Sequence, residues 1–366
     1  MKGFKLIKIK KGVYYIMNII IDTDIIYYLT TTSKDCHFDK IKFLNDIKSK
    51  NFNVYLTYYS LFEIMNKFSL RQDNKEFNDI LTYFINNNFG IIYDYELDIS
   101  ITNLFQKCLS KNKKRYYRNK IKDNLIPYIA GILTGFSILF SLFWISIIGD
   151  NEKIYIDECK KTRQWTFEKL NILKNTLNNV YIEILNEYYS INLNKLKERK
   201  KILKYKINDT ILDTFKVHKI IYEYYKQIKD KKCNELPNIE IIKNEIRTDK
   251  SITIDSISDD LKKHRNGKNF DNYFDSTFTF LFNYENNKLK YDIIKYVFKN
   301  LLLNHTFKFN DIIDYLNLLT PHSFKNHTNI FYITTDKNWI RFLEEYKNED
   351  KYYLDLYNFI MNYYSI

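Results

Sequence analysis

The side chains in this chain best suited to chemistry are acids, and they stand where a parallel sheet would present them. Asp22 closes the apolar run 18–22, with Asp24 two positions on. Glu63 falls in the first turns of a helix expected over 60–68. Asp311 and Asp314 open a helix expected over 310–319, where their i, i+3 spacing puts both carboxylates on one face. Asp336 follows an apolar run that ends in Thr334 and Thr335. Carboxylates forced together repel one another and are pushed toward their neutral forms unless a cation neutralises them. All-oxygen sites suit Mg²⁺ or Mn²⁺, which keep coordinated waters and accept phosphate oxygens readily. Such an ion acidifies a bound water, polarises a phosphoryl oxygen and stabilises the leaving oxygen of an in-line displacement. Taken singly, each acid also reads as a helix cap or dipole partner, and Asp311 is a good first-turn residue with no chemistry at all. Strand-Asp, helix-Glu, helix-Asp and strand-Thr-Thr-Asp in this order are harder to assign to four independent caps. The histidines, His37, His218, His264, His305, His322 and His327, show no metal-ligand spacing. No Ser-His-Asp or Cys-His arrangement competes.

The elements that must position these acids follow from periodicity. Runs at 18–22, 53–57, 90–93 and 329–334 read as short buried strands. Helical spacing covers 39–50, 60–68, 76–86, 310–319 and 336–345, and 352–356 reads as an edge strand. Strands alternating with helices imply an α/β fold with a parallel sheet flanked by helices, whose ligands bind beyond the carboxyl ends of the strands. The middle of the chain differs. Long Lys-rich helices are expected over 157–187, 189–206, 208–231 and 288–303, with a loop-rich connection over 238–275 around the Asn266-Gly267 turn. The expected division is an α/β core from 1–95 and 301–366, split by an all-helical insertion over 96–300.

In the order in which they occur, the segments Ile19-Ile-Ile-Asp-Thr-Asp-Ile-Ile, Ser60-Leu-Phe-Glu-Ile, Asn310-Asp-Ile-Ile-Asp and Ile333-Thr-Thr-Asp resemble the four acidic motifs of PIN-domain nucleases. The resemblance implies a sheet of order 3-2-1-4-5 and Mg²⁺- or Mn²⁺-dependent endonucleolytic hydrolysis of phosphodiester bonds, usually in RNA, leaving a 5′-phosphate. By position, Asp22 resembles the first acid, Glu63 the second, Asp311 the third and Asp336 the fourth. Thr334 resembles a hydroxyl that supports or joins the ligands, and Asp314 an extra ligand or a substitute for Asp311. The resemblance covers about 95 residues at the start and 65 at the end. The departure is the distance between Glu63 and Asp311, which common PIN proteins bridge in tens of residues. It sets this chain apart from the small single-domain toxins of toxin–antitoxin pairs.

Composition permits this reading without establishing it. The net charge of +13 suits a nucleic acid or an anionic membrane face. Yet the abundance of Lys, Asn, Ile, Tyr and Phe, with a single alanine at Ala130, is also what an AT-rich bacterial genome would write. Cys36, Cys108, Cys159 and Cys233 lie far apart, which disfavours a zinc ribbon or a disulfide scaffold and fits free thiols in a reducing cytoplasm. The N-terminus lacks the pattern of a secretory signal, and the cleaner strand pattern begins at Met17, which leaves Met1 and Met17 both open as the start.

One segment pulls against a purely cytoplasmic reading. Residues 125–149 carry no charge, which is long enough to cross a bilayer. The basic stretch 111–122 precedes it, and Lys113, Lys114, Arg115, Tyr116, Tyr117 and Arg118 interleave charge with aromatic rings. Such a run suits phosphates and stacked bases of single-stranded RNA, or anionic headgroups. A second basic run, 195–206, reads first as a solvated helix face. A true crossing would part the N-terminal acids from the C-terminal ones. A hairpin bent near Gly135, a helix buried in the insertion, or one lying along the interface would keep them together, in the cytoplasm or at the cytoplasmic face of the membrane. Two other readings stand beside the nuclease: a membrane-anchored, non-catalytic scaffold, and a nucleic-acid binder without activity.

Overall fold

The computed structural model describes residues 17–30, 38–50, 52–57, 59–61, 63–64, 75–93, 96–98, 111–148, 163–191, 196–232, 238–253, 255–257, 259–260, 270–281, 291–296, 298 and 330–364. The chain divides into two compact units, Met1–Asn124 with Asn310–Ile366, and Leu125–Phe309.

The first unit is built on a small sheet. Strands β1 (Met17–Ile21), β2 (Phe52–Thr57), β3 (Gly90–Tyr93) and β5 (Ile330–Ile333) run parallel, and β4 (Glu96–Asp98) pairs antiparallel to β3. β1 lies between β2 and β5, with Ile21 opposite Leu56 on one side and Ile333 on the other. Ile19, Ile20 and Ile21 are fully buried, which is why this strand reads as an unbroken apolar run rather than an alternation. A Cβ at Gly90 would stand 2.6 Å from the Tyr55 ring, so only glycine lets β3 pair with β2 at that point.

The strand order, β4-β3-β2-β1-β5, differs from the expected 3-2-1-4-5. The extra strand is antiparallel and lies beyond β3, at the edge opposite to the expected one. The residues read as an edge strand, 352–356, are part of a helix, α10 (Lys351–Met361). The side chain of Asp350 caps that helix, accepting from the Tyr352 N–H at 2.8 Å. Tyr353, Leu356 and Ile360 recur at helical spacing and are buried, and this outweighs the β-preference of adjacent tyrosines. The remaining helices of the unit are α1 (Thr23–Thr30), α2 (Lys40–Ser49), α3 (Lys75–Asn86) and α9 (Lys337–Tyr346), with helical turns at 59–61 and 63–64. Phe43 packs edge to face against both Phe38 and Tyr363, and the Asp39 N–H donates to the Tyr363 carbonyl at 2.6 Å, so segments from both halves of the unit share one core.

The second unit is helical. Helix α4 (Lys111–Ile148) begins in the first unit's span and carries the apolar segment in unbroken helix through Gly131 and Gly135, with no hairpin bend. Among the described residues nothing lies within 4 Å of a Cβ placed on either glycine. The span Leu125–Ile145 is long and apolar enough to cross a membrane, and 72 % of an 18-residue stretch of it is buried inside the protein. Helices α5 (Arg163–Ser190), α6 (Leu196–Lys229), α7 (Ile239–Thr248) and α8 (Phe270–Leu281) follow, with helical residues at 255–257, 259–260, 291–296 and 298. Phe140 and Phe143 meet Phe298 at ring distances of 4.4 and 5.0 Å, Phe143 meets Phe270 at 5.3 Å, and Trp144 meets Phe215 at 5.4 Å. The uncharged helix also has polar partners. Ser137 Oγ donates to the Leu133 carbonyl and bonds Tyr181 Oη at 2.5 Å, and Ser141 Oγ lies 2.7 Å from His218 Nδ1.

Two expectations for this region are corrected. The separate helices at 189–206 and 208–231 are one, α6, because Thr210 and Thr214 satisfy their hydroxyls on carbonyls one turn back instead of ending the helix at Asn208-Asp209. The stretch 238–275 is not mainly loop: it contains α7, capped by Asn238, and the start of α8.

Candidate functional site

The site forms where β1 and β5 run side by side and end together. Past the last paired residues, the Asp22 N–H still donates to the Ile333 carbonyl at 3.0 Å, which carries the pairing up to the acid itself. Asp22 is then the residue before α1, and its carbonyl accepts the first helical bond, from Ile26 at 3.2 Å. Both oxygens of its carboxyl are held. Oδ1 accepts from the Thr23 N–H at 2.7 Å, and Oδ2 accepts from the Thr334 hydroxyl at 2.6 Å. Asp22 is 4 % exposed and Thr334 fully buried.

The second acid is joined through Thr23. Its hydroxyl donates to Glu63 Oε2 at 2.7 Å, and Thr23 is itself 4 % exposed. Glu63 lies just past the turn where Thr57 ends β2, and the Thr57 hydroxyl both donates to Ser60 Oγ and accepts from the Ser60 N–H at 3.0 Å. This turn fixes the start of the helical residues that carry Glu63. The Asp336 N–H donates to Thr334 Oγ1 at 3.0 Å, so the hydroxyl that holds Asp22 also holds the backbone of Asp336. Tyr364 Oη donates to the Thr334 carbonyl at 3.3 Å, which ties the tail to the same turn.

The electrostatics of the site follow from this burial. The Asp22 carboxyl is pushed up to about 7, first by burial and then by the acids Asp24 and Glu63, against which the bonds from Thr334 and Thr23 act. Glu63 is half-buried, while Asp24 is exposed on the first turn of α1.

The structure thus gathers Asp22, Glu63, Thr334 and the backbone of Asp336, drawn from three segments of the chain. Asp311 and Asp314 lie outside the described residues. Lys113, Lys114, Arg115, Tyr116, Tyr117 and Arg118 lie on the first turns of α4, and their side chains are likewise outside the description. Thr23 is the member of the cluster that sequence reasoning missed. Its signal was a hydroxyl residue between two acids, which reads first as an ordinary helix start.

Among the described residues, no three carboxylate, imidazole or thiol side chains stand close enough to hold a metal ion between them. The donors that do meet are hard oxygens, and Mg²⁺ is commonly held by only one or two carboxylates, with waters and substrate phosphate completing its shell. A buried carboxyl raised by two neighbouring acids is relieved by a cation. In donor chemistry the site therefore fits Mg²⁺ or Mn²⁺. Comparison with family models, characterised proteins and solved structures gives no match.

Proposed function

We propose that the first unit is a PIN-like nuclease module, dependent on Mg²⁺ or Mn²⁺, that hydrolyses phosphodiester bonds in RNA. The observation that carries this reading is the meeting of Asp22 and Thr334, 312 residues apart in sequence, through one short hydrogen bond at the carboxyl ends of adjacent parallel strands. Ligands bind beyond that edge in open α/β sheets. Two of the acids whose order along the chain resembles the family's motifs, Asp22 and Glu63, are joined there through Thr23.

In this reading Asp22 and Glu63 hold the ion together with Asp336, and the resemblance adds Asp311, with Asp314 as an extra ligand or its substitute. When bound, the ion acidifies a water and neutralises charge on the phosphate. The chain's own contribution is preorganisation. Thr334 and the Thr23 N–H fix the two oxygens of Asp22, so the carboxylate has no rotamer to search for. The basic excess of the chain favours approach of a polyanion, and the Lys113–Arg118 run of alternating charge and rings suits unpaired RNA.

The test is cleavage of a labelled single-stranded RNA by purified protein with Mn²⁺, beside the variants Asp22→Asn and Asp336→Asn. Each substitution is expected to reduce the rate by at least 100-fold. Cleavage retained in both, still dependent on the metal, removes the assignment.

A further inference from the structure

The start of α6 gathers charge of one sign where a helix tolerates it least. Lys195 precedes the helix, and Lys197, Arg199, Lys200 and Lys201 follow in its opening turns, with Glu198 the acid among them. The first turn of a helix has unspent N–H groups and a partial positive charge, so cations there oppose the dipole and an anion is favoured.

Arg199 supplies a second, independent observation. It is 1 % exposed. Its Nε donates to the Tyr188 carbonyl at 2.8 Å, which sets the guanidinium where α5 ends and α6 begins. The guanidinium carbon lies 4.3 and 5.7 Å from the ring centres of Tyr188 and Tyr189. These contacts use one N–H and the flat of the group, and leave Nη2 buried with no hydrogen-bond partner. Arginine cannot shed its proton to escape such a position. A side chain that served only to cap α5 would keep the rest of its fork in water, whereas here two N–H donors are withheld from water and unspent. An oxyanion fills that gap, since phosphate accepts from an arginine fork and from helix N–H groups together. Its multiple charge also answers the flanking lysines, which a single carboxylate does not.

We propose that the α5–α6 junction is a phosphate-binding site, with Arg199 as its buried ligand, the first-turn N–H groups of α6 as further donors and the flanking lysines as counter-charge. The phosphate is free or is carried by an RNA backbone. Entry requires the half-buried Tyr188, whose ring is the nearer of the two, to turn aside from the guanidinium. The site uses none of the acids at the end of β1, so it stands or falls apart from the nuclease reading.

The probes are inorganic phosphate, followed by titration calorimetry, and a labelled single-stranded RNA, followed by fluorescence polarisation, both with the full-length protein in EDTA. Arg199→Met keeps the stem and removes the fork and charge, and Arg199→Lys keeps the charge alone. Lys243→Gln removes one charge from an exposed ion pair on α7 and is the control for net charge. Methionine is expected to weaken binding by at least about 30-fold, lysine by an intermediate factor, and Lys243→Gln by no more than about threefold. Loss confined to inorganic phosphate identifies a free phosphate as the ligand, and loss of RNA binding identifies the backbone. Should the methionine variant not fold, Arg199→Lys carries the comparison, and binding equal to that of Lys243→Gln overturns the proposal. A wild type that binds neither probe overturns it, as does an Arg199→Met variant that binds whichever probe the wild type takes as well as Lys243→Gln does.

Discussion

Replacing Asp22 by asparagine separates a helix cap from a burdened anion, because asparagine caps as well as aspartate but carries no charge. The folded Asp22 carboxyl sits at about 7 against 3.8 for the free side chain. At about 1.4 kcal/mol for each tenfold change in proton affinity, holding it ionised in the fold costs roughly 4 kcal/mol. A folded value above the unfolded one means that the fold is favoured at low pH. The cost is absent below about pH 4, grows as pH rises, and is complete once the folded group has ionised above pH 7. Asparagine avoids that cost but keeps only one of the two hydrogen bonds from the Thr23 N–H and the Thr334 hydroxyl, a loss of about 1–2 kcal/mol. Urea denaturation in EDTA should therefore find Asp22→Asn more stable than the wild type by about 2–3 kcal/mol at pH 8.5, and close to equal at pH 5. Mn²⁺ in 100-fold excess over its dissociation constant should add about 2.7 kcal/mol to the wild type alone. An asparagine variant destabilised by the same amount at both pH values would refute the reasoning and leave Asp22 as a cap.

The second unit yields two further predictions. Ser137→Ala leaves the buried Tyr181 hydroxyl without its partner and should cost about 1–3 kcal/mol, whereas Tyr181→Phe should cost less, since Ser137 still donates to the Leu133 carbonyl. Equal losses in urea unfolding would contradict that assignment. Burial holds His218 down at about 4, so the unfolded chain takes up a proton that the folded one refuses as pH falls below 6.5. About 3 kcal/mol of stability should be lost between pH 6.5 and 4, and a His218→Asn variant should lack that part of the slope; an unchanged slope would show that the imidazole is not the group responsible.

The parts of this fold legible in the sequence were those fixed by local pattern. Ile19, Ile20 and Ile21 announce a strand buried on both faces, and its abrupt end at Asp22 marks the edge where chemistry would sit. The resemblance implied that the first and fourth acidic segments stand side by side, and the strands that lead to Asp22 and Thr334 pair directly. Thr23 was not legible, because its role depends on which carboxylate its hydroxyl meets, and that is decided by the turn after β2. The pair Tyr352-Tyr353 misled by its strand preference, although Tyr353, Leu356 and Ile360 already carried the helical period. The uncharged run in α4 has the length and hydropathy of a membrane span, and neither measure registers a serine that bonds a tyrosine or a histidine on another helix.

The placement of β1 between β2 and β5 has a consequence for biosynthesis. While the ribosome is still making the insertion, β1 has one neighbour and bares an apolar edge of three isoleucines. Its other neighbour is translated roughly 300 residues later, on the order of tens of seconds at ordinary elongation rates. The contiguous helical unit is complete before then, so the nascent chain passes through a stage with a finished insertion and an open sheet. During that interval Asp22 has no Thr334 to hold it, and both oxygens of its carboxyl are held only once β5 has been made.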